Sequence, residues 1–369
     1  MAKSLEIYPT DFDPKSAYET MSGDYERKSF LSIHQLTEED IYEYIAQASA
    51  AERILDRPDV YGVNLLDMCV GSFVMRQAST RTGGSMKTAL DKLGGRGTLV
   101  SGMGASSEAK GETLGDSWLA FAGQSDFIGT RTAEEYGPHF ASWIISAYAQ
   151  EGKLSRAIPV INLGDGRNEH PTQTLGDLFT MSKFAGKDFK DITLTIVGDH
   201  ERYRAFHSLL IGANTLGMKV LAVQSNVAQI PEEYVSLLGE NLTIVDDLDD
   251  ALKQTDVLYI GRNPDEYSAT DLESKKKAKR EHRRSRILSR DYESWHIDLK
   301  RIQQMPDDAI VLHPRPRRNE LNPDTDFDPR MRDVNQMEDM IKARMAVIAL
   351  AMGRSLVETE AYLTAKSRS

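Results

Sequence analysis

Two hydroxyl residues and an arginine lie together in the run Ser79-Thr80-Arg81-Thr82, between a short apolar strand pattern and a helical pattern. The unbonded N–H groups at the start of a helix, together with the helix dipole, favour an anion there. Arginine adds a planar fork of donors that matches a phosphate group. The run therefore predicts a phosphate site, and an ordinary Ser/Thr cap beside a surface arginine is the alternative interpretation.

A second polar segment extends from Asp165 to Leu175 and follows a buried apolar strand. Its His170 and Gln173 are three residues apart at a predicted helix start, so they should project from the same side. His170 could polarise a carbonyl group, and the side-chain carbonyl of Gln173 could accept from an amino group. The alternative is that both residues only cap the helix.

Two arginines follow two further strand patterns. Arg204 lies five residues beyond the Gly198-Asp199 pair, and Arg262 follows the apolar run 257–260. Ligands bind outside the carboxyl ends of strands in parallel sheets, so the two side chains should share one edge. A single exposed arginine is more often only solvated, but two at one edge favour an anion site.

The pentad His313-Pro314-Arg315-Pro316-Arg317 follows the last strand pattern. Its prolines stiffen the loop and fix the direction of the backbone carbonyls. The loop could therefore orient an amide-like group.

Short apolar runs alternate with helical patterns over much of the chain. The predicted strands are 158–161, 192–197, 220–223, 242–245, 257–260 and 310–312, and the helices include 172–184, 203–216 and 336–352. This alternation predicts an α/β fold with mostly parallel sheets flanked by helices. A chain of 369 residues exceeds one ordinary core, so two domains are expected. The run 274–290 carries nine Lys or Arg residues and is expected to form an exposed loop or a helix start.

The composition excludes several classes of protein. Hydrophobic residues make up 40% and charged residues 27%, a globular balance, and the net charge of −11 argues against general nucleic-acid binding. A single cysteine, Cys69, allows neither an internal disulfide nor a cysteine-rich zinc site. No apolar run approaches a membrane-spanning length and the N-terminus lacks the pattern of a signal peptide, so we expect a cytoplasmic protein without a membrane partner.

Taken in order, these motifs resemble the aspartate/ornithine transcarbamylase family over roughly residues 70 to 355. The resemblance is carried by the phosphate run, Lys110-Gly111-Glu112-Thr113-Leu114 with Ser106 before it, the segment Asp165–Leu175, Gly198-Asp199 with Arg204, His207-Ser208-Leu209, the pentad and Gln336. The pentad is closer to the aspartate branch than to the ornithine branch, which typically has a cysteine after the histidine.

The resemblance implies carbamoyl transfer from carbamoyl phosphate to the α-amine of an amino acid, with L-aspartate as the leading acceptor, in pyrimidine biosynthesis. It implies no metal ion and no cofactor. The implied carbamoyl-phosphate ligands are Ser79, Thr80, Arg81, Thr82, Arg131, His170, Gln173 and the backbone at Pro314 and Arg315, of which Arg81, Thr82 and His170 are the catalytic group. The implied aspartate ligands are Ser106, Lys110, Arg204 and Arg262.

The resemblance also implies an organisation. Residues 1–170 with 336–369 would bind carbamoyl phosphate, residues 171–335 would bind the amino acid, and the active site would lie in the cleft between these domains. Ser106 and Lys110 would reach into the site of a neighbouring subunit, which implies a homotrimer with shared active sites. The sequence carries no signal for or against a regulatory subunit.

The chain departs from the family pattern at four positions, with Gln77 for glutamate, Gly83 for arginine, Pro264 for glutamine and Arg315 for an apolar residue. Pro264 cannot donate a hydrogen bond from its backbone nitrogen. Two alternatives therefore remain open, namely a transcarbamylase acting on a different amino acid and a diverged, non-catalytic ligand-binding protein.

Overall fold

The computed structural model describes residues 8–77, 79–101, 113–262 and 275–368, without the side chains of 275–282 and 367–368. The chain divides into two compact units, Met1–Phe179 with Asp339–Ser369 and Thr180–Glu338. Each unit contains one parallel sheet and several helices, so the predicted α/β fold class is confirmed. Within the described residues, no helix has the length and hydropathy needed to cross a bilayer.

The first unit alternates strands and helices. Its elements in chain order are α1 (Glu38–Leu55), β1 (Val70–Met75), α2 (Thr80–Lys92), β2 (Arg96–Ser101), α3 (Leu114–Ala122), β3 (Phe127–Thr132), α4 (Gly137–Gln150), β4 (Val160–Asp165) and α5 (Pro171–Phe184), the last of which continues into the second unit. The four strands lie in the order β2-β1-β3-β4 and all pair in parallel. The chain moves outward from β1 on one side and from β3 on the other, so the order reverses between these two strands.

The second unit repeats this architecture. Its elements are β5 (Thr193–Gly198), α6 (Arg204–Thr215), β6 (Lys219–Gln224), α7 (Glu232–Leu238), β7 (Leu242–Val245), α8 (Leu248–Leu252), β8 (Val257–Ile260), α9 (Lys275–Ser294), α10 (Leu299–Ile302) and β9 (Ile310–Leu312). The five strands form a parallel sheet in the order β7-β6-β5-β8-β9. The strand order reverses between β5 and β8, which are neighbours.

The last two helices, α11 (Asp333–Ala351) and α12 (Leu356–Arg368), return the chain to the first unit. Arg53 of α1 donates from Nε and Nη2 to the two carboxylate oxygens of Glu360, both at 2.8 Å. The side-chain oxygen of Gln47 accepts from the backbone N–H of Leu356 at the start of α12. The first unit is therefore built from both ends of the chain.

The start of α1 is fixed by a carboxylate with several donors. Asp40 accepts hydrogen bonds from the backbone N–H groups of Gly23 and Thr37 and from the Tyr25 hydroxyl, at 2.7 to 2.9 Å. Burial opposes ionisation of this carboxyl, but these bonds outweigh it and lower its pKa. Thr37 caps the helix, because its side chain accepts from the Asp40 N–H and the Asp40 carboxylate accepts from the Thr37 N–H, which together form a capping box.

The basic run differs from its expected form. The predicted loop or helix start at 274–290 is the long helix α9, and it does not lie wholly in solvent. Arg284 has a largely buried side chain that is paired with Asp199. Leu288 and Tyr292 lie on the same side of the helix and pack into the core of the second unit. An amphipathic helix thus uses one face of the basic run to cover the sheet.

Candidate active site

The phosphate run lies where the strand order of the first sheet reverses. β1 ends at Met75, and Ser79 caps α2 by accepting from the Thr82 N–H at 3.4 Å. The first turn of α2 contains no acidic residue, so no carboxylate in that turn offsets the positive end of the helix dipole. The capping interpretation is thus correct for Ser79, and the geometry of a helix-start anion site is also present. Crevices at such reversals are where parallel sheets bind ligands.

Arg131 lies beside this run on the neighbouring strand β3. Its position pairs with Met75 in the sheet register, and its backbone carbonyl accepts from the Gln77 N–H at 3.1 Å. Its Nε donates to the Gln77 side-chain oxygen at 3.2 Å. Gln77 therefore orients the Arg131 guanidinium as a glutamate could, but as a neutral partner.

Close packing around position 83 explains why glycine stands there and not the arginine of the family pattern. A Cβ atom at this position would lie 2.7 Å from Cδ1 of Leu99 and 3.2 Å from Cγ of Met75. Gly83 and Met75 are buried, so a larger residue here would require a shift of the Leu99 side chain. The helix α2 approaches the sheet closely at this point, and the glycine permits that approach.

His170 and Gln173 come together at the start of α5, after β4. The backbone carbonyl of His170 accepts from the N–H groups of Gln173 and Thr174, so the backbone itself begins the helix. Gln173 donates from Nε2 to the Asp177 carboxylate at 2.9 Å. A carboxylate can only accept, so this bond fixes the amide and turns its carbonyl oxygen away from Asp177. The oxygen is thereby oriented as an acceptor, as predicted for this residue.

The turn between β4 and α5 is held by two buried carboxyl groups. Asp165 accepts from the Tyr136 N–H at 2.7 Å and from the side-chain amides of Asn162 and Asn168. Burial raises the pKa of its carboxyl to about 7, against the opposing effect of these bonds. Glu169 accepts from the Ser32 hydroxyl and the Ile33 N–H. The backbone before His170 is therefore rigid.

The role of one residue in this region, Arg344, cannot be predicted from the sequence. Arg344 of α11 is 3% exposed and donates to the hydroxyl of Ser85, which in turn donates to the Arg81 carbonyl at 2.6 Å. Burial lowers the pKa of its guanidinium to about 10, opposed by the charge of Asp177, so Arg344 is a cation at neutral pH. It contacts the phosphate helix α2, and its charge interacts with Asp177, the carboxylate that orients Gln173. A lone arginine in an apolar helix pattern does not predict this role.

Arg204 and Arg262 lie where the strand order of the second sheet reverses. Arg204 begins α6 after β5, and Arg262 follows β8, which pairs with β5. Arg204 is only 3% exposed although it lies at the positive end of a helix, where a cation is disfavoured. The prediction that both arginines belong to one sheet edge agrees with this topology.

Asp199 lies between β5 and Arg204 and is fully buried. Nη2 of Arg284 in α9 donates to its two carboxylate oxygens at 2.8 and 2.9 Å. The same arginine donates from Nε to the Val227 carbonyl at 3.0 Å. The negative charge of Asp199 is thus paired within the second unit.

The pentad loop is fixed by its histidine. His313 Nδ1 accepts from the Arg315 N–H at 3.0 Å, and its Nε2 contacts the Glu320 carboxylate at 2.9 Å. Both bonds are satisfied by a neutral ring protonated on Nε2. Burial, only partly opposed by Glu320, lowers the pKa of His313, which agrees with that neutral form. The Gln336 side chain accepts from the His313 N–H at 2.9 Å and secures the start of the loop.

The Arg315 side chain turns to acidic partners in the second unit. Its Nε donates to Asp333, and its Nη2 lies 3.3 Å from Asp326. Arg317 pairs with the same Asp326. Arg315 replaces an apolar residue of the family pattern, but its side chain turns to these carboxylates. The backbone of the Pro314–Arg315 loop is still held by His313.

Five residues discussed from the sequence lie outside the described residues, namely Ser106, Lys110, Gly111, Glu112 and Pro264. The other predicted ligands fall into two groups. The first sheet gathers Ser79, Thr80, Arg81, Thr82, Arg131, His170 and Gln173 at one edge, and the second unit carries Arg204, Arg262, Pro314 and Arg315.

Each unit is an α/β domain with a parallel sheet, and in the first unit a helix starts at the carboxyl edge of the sheet, where domains of this class bind their ligands. Comparison with protein-family profiles identifies the family. Residues 28–183 match the profile of the "aspartate/ornithine carbamoyltransferase, carbamoyl-P binding domain", and residues 190–351 match that of the "Asp/Orn binding domain". The chain belongs to the aspartate/ornithine carbamoyltransferase family.

Individual relatives lie in the aspartate branch. The aspartate carbamoyltransferase catalytic subunit of Parabacteroides distasonis is 31% identical over 335 residues, which cover 90% of this chain and 99% of that protein. The aspartate transcarbamoylase of Trypanosoma cruzi in complex with carbamoyl phosphate and aspartate superposes with a TM-score of 0.76 at 26% identity, covering 89% of this chain and 97% of that one. The same enzyme with carbamoyl aspartate and phosphate also gives 0.76 at 26% identity, covering 90% and 98%.

Proposed function

We propose that this protein transfers the carbamoyl group of carbamoyl phosphate to the α-amine of L-aspartate, giving N-carbamoyl-L-aspartate and phosphate. The observation that carries the proposal is the carboxyl edge of the first sheet. There the start of α2, Arg131 and the fixed amide of Gln173 belong to neighbouring strands and the helices that follow them. The product would be the carbamoylated amino acid that pyrimidine biosynthesis uses.

The first unit holds carbamoyl phosphate in this proposal. The phosphate is bound by Ser79, Thr80, Thr82 and the N–H groups of the first turn of α2, with Arg81 and Arg131 compensating its charge. The carbamoyl oxygen is contacted by Thr82, Arg81 and His170. The carbamoyl nitrogen donates to the Gln173 oxygen and to backbone carbonyls at Pro314 and Arg315. The proposal keeps the expected domains, in which residues 1–170 with 336–369 bind carbamoyl phosphate and residues 171–335 bind the amino acid.

The reaction needs little more than orientation and charge stabilisation. The uncharged amine of aspartate attacks the carbonyl carbon, and electrons move onto the carbonyl oxygen. Preorganised donors at Arg81, Thr82 and His170 stabilise this developing oxyanion, which is usually the largest catalytic effect. The carbon–oxygen bond to phosphate then breaks, and the released phosphate is itself a base able to take the amine proton. Holding both reactants in place lowers the activation barrier by about 7 kcal/mol more.

The second unit provides the acceptor ligands. Arg204, the first residue of α6, and Arg262, which follows β8, are cations that come after two adjoining strands, and aspartate presents two carboxylates. Lys110 and Ser106 complete this set in the proposal, by residue identity. The buried position of Arg204 favours an acceptor that enters as an anion.

The test is carbamoyl transfer measured with a panel of amino acids. We expect kcat/KM for L-aspartate to exceed that for L-ornithine by about a thousandfold or more, because the distal ammonium of ornithine would face arginines rather than a carboxylate. L-asparagine is the matched acceptor control, since it has the same size but one carboxylate fewer. A larger kcat/KM for any other amino acid would overturn the choice of aspartate, and tight carbamoyl-phosphate binding without turnover would overturn the enzyme assignment.

We also propose a homotrimer with shared active sites in a reducing compartment such as the cytoplasm. The family resemblance at Ser106 and Lys110 supports the trimer, and the single buried Cys69 fits a reducing compartment. Mixing a Lys110→Ala chain with a His170→Ala chain, each inactive alone, should restore activity after subunit exchange. Restoration requires that one site takes Lys110 and His170 from different chains, so a mixture that stays inactive while mixed trimers are detected would contradict sharing.

A further inference from the structure

The hydroxyl of Tyr292 joins two backbone segments, the one that leads from β5 to Arg204 at the start of α6 and the one that follows β8 and contains Arg262. Its oxygen accepts from the backbone N–H of Asp199 at 3.1 Å and donates to the backbone carbonyl of Arg262 at 3.1 Å. Asp199 directly follows β5, and Arg262 lies two residues beyond β8, the neighbouring strand. One side-chain atom from α9 therefore fixes the distance between these two backbone segments.

The Tyr292 hydroxyl is tightly packed against the backbone at Gly198. A Cβ atom on Gly198 would lie 2.8 Å from the Tyr292 oxygen, so the absence of a side chain there makes the contact possible. Gly198 has a φ of +146°, which non-glycine residues rarely adopt. Tyr292 is 1% exposed, and its ring contacts Trp295 with 5.6 Å between centroids. The hydroxyl is thus a built feature of the loop junction rather than a surface group.

The chemistry of the hydroxyl suits a fixed link. Burial, with the charge of Asp199 nearby, raises the pKa of Tyr292 well above its usual value, so the group keeps the proton that it donates to Arg262. Arg284, two turns earlier on α9, pairs with the Asp199 carboxylate. The same helix therefore holds the Asp199 backbone through Tyr292 and compensates the Asp199 charge through Arg284.

We propose that Tyr292 is a positioning residue for the amino-acid acceptor, whose hydroxyl sets the spacing of the segments bearing Arg204 and Arg262 to match a small dicarboxylate. The proposal rests on the proposed function. It gives α9 a role in acceptor recognition through the backbone contacts of the Tyr292 hydroxyl. Without the hydroxyl, the Asp199 N–H and the Arg262 carbonyl lose their common partner, and the two loops are free to separate.

Steady-state kinetics of Tyr292→Phe test the proposal, because phenylalanine keeps the ring packing and removes only the hydroxyl. We expect the KM for aspartate to rise by about tenfold, the usual size for loss of hydrogen bonds of this kind. The KM for carbamoyl phosphate should stay within about twofold, since the donor ligands of the first unit are untouched. In an Arg262→Ala background the same change should raise the aspartate KM by less than about twofold, because one of the two arginines whose spacing the link sets is then absent.

Thr255→Val is the matched control. Thr255 is buried before β8, at the opposite end of the strand, and its hydroxyl contacts the Ala251 carbonyl at 2.7 Å and the Thr195 hydroxyl at 2.6 Å. It should lower thermal stability about as much as Tyr292→Phe and leave the aspartate KM unchanged. An unchanged aspartate KM in Tyr292→Phe, or an equal rise in both variants, would overturn the role of Tyr292. A wild-type protein inactive with every amino acid would instead refute the proposed function, and the inference with it.

Discussion

Replacing Arg81 with alanine should lower kcat for carbamoyl transfer by about a hundredfold or more, since losses of single oxyanion donors have effects of this size. Arg81 is the second residue of α2, and its backbone carbonyl is held by the Ser85 hydroxyl. In the proposed mechanism its guanidinium contacts both the developing oxyanion and the departing phosphate. The side chain is exposed in the first unit, so its removal should cost little stability.

Two variants sharpen this experiment. Arg81→Lys keeps the charge and loses the planar fork, so its kcat should lie between those of the wild type and the alanine variant. Arg96→Ala removes an exposed arginine at the start of β2, the opposite edge of the same sheet, and should leave kcat unchanged. A near-normal kcat in Arg81→Ala would contradict the assigned role.

Replacing Arg204 with alanine should raise the KM for aspartate by about tenfold to a hundredfold, because hydrogen bonds to charged groups contribute about 1.5–3 kcal/mol. The dissociation constant of carbamoyl phosphate, measured by calorimetry, should change much less, since its proposed phosphate ligands lie in the first unit. Arg204 is buried, so thermal unfolding should be recorded alongside the kinetics.

Lys219→Ala is the control for this second experiment. Lys219 is an exposed cation at the start of β6, at the amino edge of the second sheet. Its loss should change neither KM. If Arg204→Ala instead weakens carbamoyl phosphate binding and leaves the aspartate KM unchanged, Arg204 is not an acceptor ligand.

The second unit was largely predictable from its strands. β5, β6, β7, β8 and β9 are short apolar runs, and each corresponds within one or two residues to a predicted strand. β2 and β3 of the first unit were not identified as strands from their residue pattern. β2 has a mostly exposed sequence, Arg96–Ser101, and β3 is buried but contains the polar residues Thr130, Arg131 and Thr132. Hydrophobic periodicity fails where a strand is exposed on an edge or where its buried positions serve a site.

The candidate site was predictable where its residues adjoin in sequence. The run at Ser79 and the segment at His170 each combine a helix start with side chains suited to a phosphate or a carbonyl. Arg344 and Tyr292 were missed because their roles depend on partners far away in the chain, Ser85 and the pair formed by Asp199 and Arg262. Such contacts arise from tertiary packing and leave no local pattern.

The return of α11 and α12 to the first unit has a consequence during translation. The second unit is one uninterrupted stretch, so it can fold as soon as it has left the ribosome, whereas the first unit needs α11 and α12, which are made after the second unit. Arg344 contacts the phosphate helix α2, its charge interacts with the Asp177 carboxylate that orients Gln173, and it is synthesised after the whole of the second unit. A stop codon that removes α11 and α12 would therefore damage the first unit, most of which is made before the second unit.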